Sequence, residues 1–100
     1  MEKVIINPLV KYYIVSLKHT NRKDKYITLW RPKNAGYCWP LELAGVYDGY
    51  QHGYHNSGPT ENVPVPAAEI PAKLLIKDGL GRECMANNRA AKTFIKQYMP

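Results

Sequence analysis

The chain has 100 residues, 45% of them apolar and 11% aromatic, with a net charge of +6 and a pI near 9.4. That length allows one domain, residues 1–100, with a single modest core burying roughly two thirds of the unfolded surface. No run approaches a span of about 18 consecutive apolar residues, so no membrane-spanning helix is predicted, and "MEKVIINPLV" carries Glu2 where a secretory signal would be basic.

Glycine and proline are frequent enough to favour many turns over long helices, and the fold class predicted is α+β. The charge is unevenly spread. Residues 1–33 carry eight Lys/Arg against two acids, residues 34–70 carry four acids and no base, and residues 71–100 return to six bases against two acids. A basic field of this kind speeds encounters with anions, and it also keeps small proteins in solution. Cys38 and Cys84 form no CxxC pair and are read as reduced thiols.

In chain order, "KYYIVSLK" (11–18) and "KYITLW" (25–30) are β-branched and aromatic, separated by the polar loop "HTNRKD". They predict an antiparallel hairpin. Pairing positions that sum to 44 sets Val15 against Leu29 and Leu17 against Ile27 on an apolar side. The reverse side then carries Ser16 with Thr28, Lys18 with Tyr26, and Ile14 with Trp30. "RPKNAG" predicts a turn, with Pro32 fixing its own φ and Gly36 free to adopt a positive one. "YCWPLEL" is expected to run extended, and the glycine-rich stretch after it to form short strands and loops.

Further on, "VPVP" is extended, a short helix is expected over 67–77, and Gly79 is its terminator. The last element is a helix over about 88–98, capped by Asn87 or Asn88, with Ala90, Ala91, Phe94, Ile95 and Tyr98 on its apolar stripe. The architecture expected is thus a small antiparallel sheet built on the hairpin, with one or two helices packed on it.

No catalytic motif emerges. His52 and His55 stand three residues apart without a carboxylate cluster, which is a poor zinc pattern, and no metal or cofactor is expected. Ser16, Ser57, Cys38 and Cys84 lack the context that activates a nucleophile. There is no GxxxxGK[ST] loop, and the GxG of "DGLGREC" follows a helix pattern where the dinucleotide fingerprint would need a strand. Anion chemistry remains: Lys18, Arg22 and Arg31 can neutralise phosphate, with Ser16 and Thr28 as neutral donors. Trp30, Tyr37, Trp39 and Tyr54 can stack on a base, while His52 and Asn56 can orient its polar edges. Tyrosine outnumbers phenylalanine eight to one, and phenol hydroxyls favour half-exposed, contact-making surfaces.

The strings "YYIVSLKHT", "YITLWRP", "AGYCWPL", "AGVY", "GYHNSG" and "NNRA", over roughly residues 12–91, resemble a family of small bacteriophage and prophage accessory proteins. The lysine-rich "NRKDK" loop and Cys38, where a small residue is expected, depart from that pattern. The resemblance implies a viral origin and expression in the host cytoplasm, and it brings no activity with it. Small phage accessory proteins often act against host defence, an argument from association. Joined to the residues above, it gives a non-enzymatic binder that sequesters a nucleotide-derived signal, working as a homo-oligomer, most simply a dimer. Two alternatives stay open: an inhibitor docking on a host defence complex such as a CRISPR effector, and a small nucleic-acid-binding protein.

Overall fold

A computed structural model of the chain describes residues 10–48 and 62–99. Its larger sheet has four antiparallel strands in the order β3-β2-β1-β4. These are β1 (Tyr12–Ser16), β2 (Leu29–Trp30), β3 (Tyr37–Cys38) and β4 (Asn62–Pro66). A second antiparallel pair, β5 (Leu75–Lys77) and β6 (Glu83–Met85), and a helix, α1 (Arg89–Lys96), complete the α+β architecture of the described residues.

The hairpin register is the one chemistry selects: Val15 opposes Leu29, and the Ser16 amide donates to the Thr28 carbonyl at 2.8 Å. The paired stretch is shorter than the hydrophobic pattern implies. After Ser16 the chain turns at Leu17–Thr20, and residues 25–27 leave the hairpin to join β6. The Ile27 amide donates to the Met85 carbonyl (2.9 Å), and Tyr26 bridges Ala86 instead of Lys18.

Strand β4 opposes β1 along its full length, from Tyr12 with Pro66 to Ser16 with Asn62. The Ala67 amide donates to the Lys11 carbonyl, so by strand alternation the odd-numbered residues bond inward. Pro64 and Pro66 therefore fall where the backbone nitrogen points away from β1, and neither costs the ladder a donor.

Alternation also divides the sheet's two faces. Val15, Leu29, Cys38, Val63 and Val65 lie on one side and join Ile27, Leu74, Met85 and the helix residues Ala91, Phe94 and Ile95 in the main core. Each large aliphatic buried here contributes about 1.5–3 kcal/mol. The reverse face is not simply solvated. Tyr12, Ile14 and Tyr47 form a second buried cluster against Val10 and Trp30.

Helix α1 begins where Asn88 Oδ1 accepts from the Ala91 amide at 2.9 Å. Asn88, not Asn87, is thus the cap. Ala91, Phe94 and Ile95 face the core, and Phe94 meets Tyr98 edge-on at 5.3 Å, while Ala90 is exposed. Two other expectations are corrected. Residues 67–77 hold two 3₁₀ turns, Ala67–Glu69 and Ala72–Leu74, followed by β5, because Pro71 interrupts any α-helix there. The "YCWPLEL" run is strand at Tyr37–Cys38, bridges Cys84 at the extended Pro40, and then closes into a 3₁₀ turn at Leu41–Leu43.

Candidate functional site: a cationic aromatic groove

The bend after β2 shapes one wall of the site. Pro32 opens a 3₁₀ turn, Lys33 and Asn34 adopt φ of 56° and 58°, and Gly36 adopts φ of 96°. Asparagine and glycine tolerate that left-handed region, and the non-glycine Lys33 needs outside support. Tyr47 gives it: its hydroxyl donates to the Arg31 carbonyl and accepts from the Asn34 amide at 3.2 Å. The Arg31 amide closes the bend onto the Gly36 carbonyl (2.8 Å), and Arg31 Nε donates to the Tyr37 carbonyl (2.9 Å). Gly45 runs close beneath, its amide on the Trp30 carbonyl (2.9 Å).

The β5–β6 turn shapes the opposite wall. Asp78 Oδ1 accepts from the amides of Leu80 and Arg82, both at 2.9 Å, and Oδ2 accepts from Arg82 Nε at 2.9 Å. Gly81 adopts φ of 78° to close this turn. "DGLGREC" is therefore a hairpin turn that aims an arginine. A backbone bridge between Pro40 and Cys84 brings that hairpin against the bend.

Between the walls lies a groove of about 570 Å³ lined by His19, Thr28, Arg31, Tyr37, Cys38, Trp39, Pro40, Leu43 and Arg82. Its floor is the reverse face of the hairpin. The Trp39 indole nitrogen donates to Thr28 Oγ1 at 3.2 Å, and Thr28 Oγ1 donates to the His19 carbonyl at 2.8 Å. Ser16 is only 1% exposed. Its Oγ accepts from the His19 amide (3.3 Å) and lies 3.0 Å from His19 Nδ1. The imidazole stacks on Tyr37 with centroids 4.0 Å apart, and Trp30 meets Tyr37 at 4.6 Å. Trp39 is 44% exposed, with Tyr26 tilted against it at 5.5 Å.

Of the residues singled out in the sequence, Thr28, Arg31, Tyr37 and Trp39 line this groove together. Ser16 lies beneath it as a buried support, because alternation along β1 turns its hydroxyl under His19. Trp30 stands beside it, its indole donating to Asn62 Oδ1 at 3.0 Å. Lys18 and Arg22 are exposed on the 17–24 loop and do not line the groove. His52, Tyr54 and Asn56 lie outside the described residues. His19 and Arg82 were missed: His19 had a cue in its spacing from Ser16, whereas Arg82 arrives through a bridge between elements 44 residues apart.

Burial pushes both thiols up, with the Arg31 guanidinium pulling Cys38 partly back. Both cysteines are free, and each sulfur bonds a nearby carbonyl, Cys38 that of Pro40 and Cys84 that of Arg82, at 3.7 Å. Among the described residues no cluster of three or more metal-ligating side chains occurs, and no helix is long and apolar enough to cross a membrane.

Fold and site together define a small α+β domain with an arginine-flanked aromatic groove between the bend after β2 and the β5–β6 turn. Comparison with protein-family models, with curated proteins and with solved structures returns no match.

Proposed function

We propose that the chain is a non-enzymatic binding protein that captures a nucleotide-derived anion and, as a phage-encoded product in the host cytoplasm, removes it from a defence pathway. One observation carries this reading: Arg31, Arg82, His19 and the Trp39 ring line one groove, and none of its lining groups among the described residues is a carboxylate. Guanidinium groups give charge-assisted hydrogen bonds to phosphate, and an indole face gives sequence-tolerant stacking worth about 1–3 kcal/mol per base.

The chemistry favours holding over transforming. A nucleophilic cysteine needs a lowered pKa, and Cys38 and Cys84 are held high by burial. Ser16 has its hydroxyl engaged beneath His19, where substrate has little access. A second copy closing the open side of the groove belongs to the same proposal, and light scattering with and without ligand reads it.

The test is to purify the protein from bacteria whose nucleotide-signalling defence is active, denature it, and identify released small molecules by mass spectrometry. A chemically unaltered nucleotide at near-stoichiometric amount is expected. It should be absent from the Arg31→Ala/Trp39→Ala double variant while circular dichroism remains native. Recovery of a tightly bound host protein and no nucleotide would overturn the proposal.

A further inference from the structure

The groove's own contacts narrow the ligand, on the assumption that it binds a nucleotide at all. Tyr37 has His19 stacked at 4.0 Å and Trp30 tilted against it at 4.6 Å, so both neighbouring positions are occupied by the protein's own rings. Trp39 differs. Its indole edge is anchored on Thr28, its ring contact among the described residues is Tyr26, and it keeps 44% of its surface exposed. Among the described residues, Trp39 is therefore the open indole platform of the groove.

The polar side is equally specific. Arg31 spends Nε on the Tyr37 carbonyl, and Arg82 spends Nε on Asp78, which fixes each side chain and leaves each terminal pair of amino groups for another acceptor. Both guanidinium-bearing side chains line the same groove, one from each wall. His19 supplies a third donor. The buried Ser16 hydroxyl lies 3.0 Å from His19 Nδ1, and that hydrogen bond engages one ring nitrogen. Nε2, at the far end of the ring from Ser16, is the nitrogen left to meet a ligand oxygen.

We infer that the groove takes a mononucleotide, one base on Trp39 and a terminal phosphate monoester shared by Arg31, Arg82 and His19. Three separate donor groups suit three terminal oxygens. A cyclic phosphodiester offers only two non-bridging oxygens per phosphate, and a cyclic dinucleotide brings a second base for which the described residues show no second open indole or phenol face.

Titration calorimetry on the unmodified protein tests this with adenosine 5′-monophosphate, guanosine 5′-monophosphate, their 3′,5′-cyclic forms, cyclic di-AMP, cyclic di-GMP, the nucleosides and inorganic phosphate. The expected result is a monoester binding at least about tenfold tighter than its cyclic form, its nucleoside or phosphate alone, the loss of one charge-assisted contact being of that size. A cyclic dinucleotide binding as tightly as the monoester, or tighter, would overturn the inference and leave capture of a nucleotide standing. Phosphate binding as tightly as the monoester would also overturn it, by removing the role of Trp39. Silence from every nucleotide would sink the proposed function as well.

Discussion

The indole nitrogen of Trp39 lies 3.2 Å from the hydroxyl of Thr28, and that hydroxyl in turn donates a hydrogen bond to the carbonyl of His19. One side chain thus joins the bend, the first loop and the hairpin face. Thr28→Val keeps the shape and β-propensity but leaves an indole donor and a backbone acceptor without partners. It should lower stability by about 1–3 kcal/mol in urea titrations. It should also weaken ligand binding, because Trp39 loses the contact that orients it.

The bend is held by close packing around Gly45. A Cβ there would sit 2.6 Å from Tyr47 Cε1 and 2.9 Å from the Pro32 backbone. Gly45→Ala must displace the tyrosine that supports Lys33 and Asn34. The expected cost is about 1–3 kcal/mol, as for overpacking in cores. Gly79→Ala serves as the control, since a Cβ there meets nothing within 4 Å.

Asn87 clamps the loop that follows β1. Its side-chain amide donates to the carbonyls of Asn21 (3.0 Å) and Asp24 (2.9 Å), while its backbone amide donates to the Lys25 carbonyl (2.9 Å). Asn87→Ala removes the first two bonds and keeps the third. Hydrogen exchange of the 21–25 amides should accelerate markedly, with a global loss of about 1–2 kcal/mol.

Asp78 predicts an acid-sensitive hairpin. Its carboxyl is held below the usual carboxylate range, chiefly by the Arg82 amide, then by the Leu80 amide and the Arg82 guanidinium, against an opposing push from burial. A lowered folded-state pKa means that the unfolded chain binds more protons between the two values. The stabilisation is therefore fully present above the unfolded carboxylate value of about 3.9 and is lost as pH falls through the folded one. The stability gap between the wild type and Asp78→Asn, read by urea titration, should be constant above about pH 5 and shrink toward the acid limit.

How much of this was legible in the sequence depends on the range of the interactions. The β1–β2 register was legible because a one-residue slip would mix apolar and polar side chains on both faces, and the Val15–Leu29 pair obeys that rule. The helix was legible from the spacing of Ala91, Phe94 and Ile95. Residues 67–77 misled because "AAEIPAKLLIK" has helical composition, while Pro71 and the tertiary pairing of Leu75–Lys77 with β6 decide otherwise. The site was half legible. Thr28, Arg31, Tyr37 and Trp39 come from two adjacent strands and one bend, whereas Arg82 is delivered by the distant bridge of Pro40 to Cys84. Lys18 and Arg22 were attractive for charge alone, and charge does not say which way a loop residue faces.

The central claim, that the Trp39 groove holds the nucleotide, has a site-resolved readout because the chain contains only two tryptophans. Trp30 and Trp39 each give one indole N–H resonance, and their donors rest on different partners, Asn62 and Thr28. On titration of ¹⁵N-labelled protein with adenosine or guanosine 5′-monophosphate, the Trp39 indole signal should shift progressively and saturate, with the Trp30 signal moving far less. A Trp39 signal that stays still at saturating nucleotide, or moves less than that of Trp30, would contradict the account.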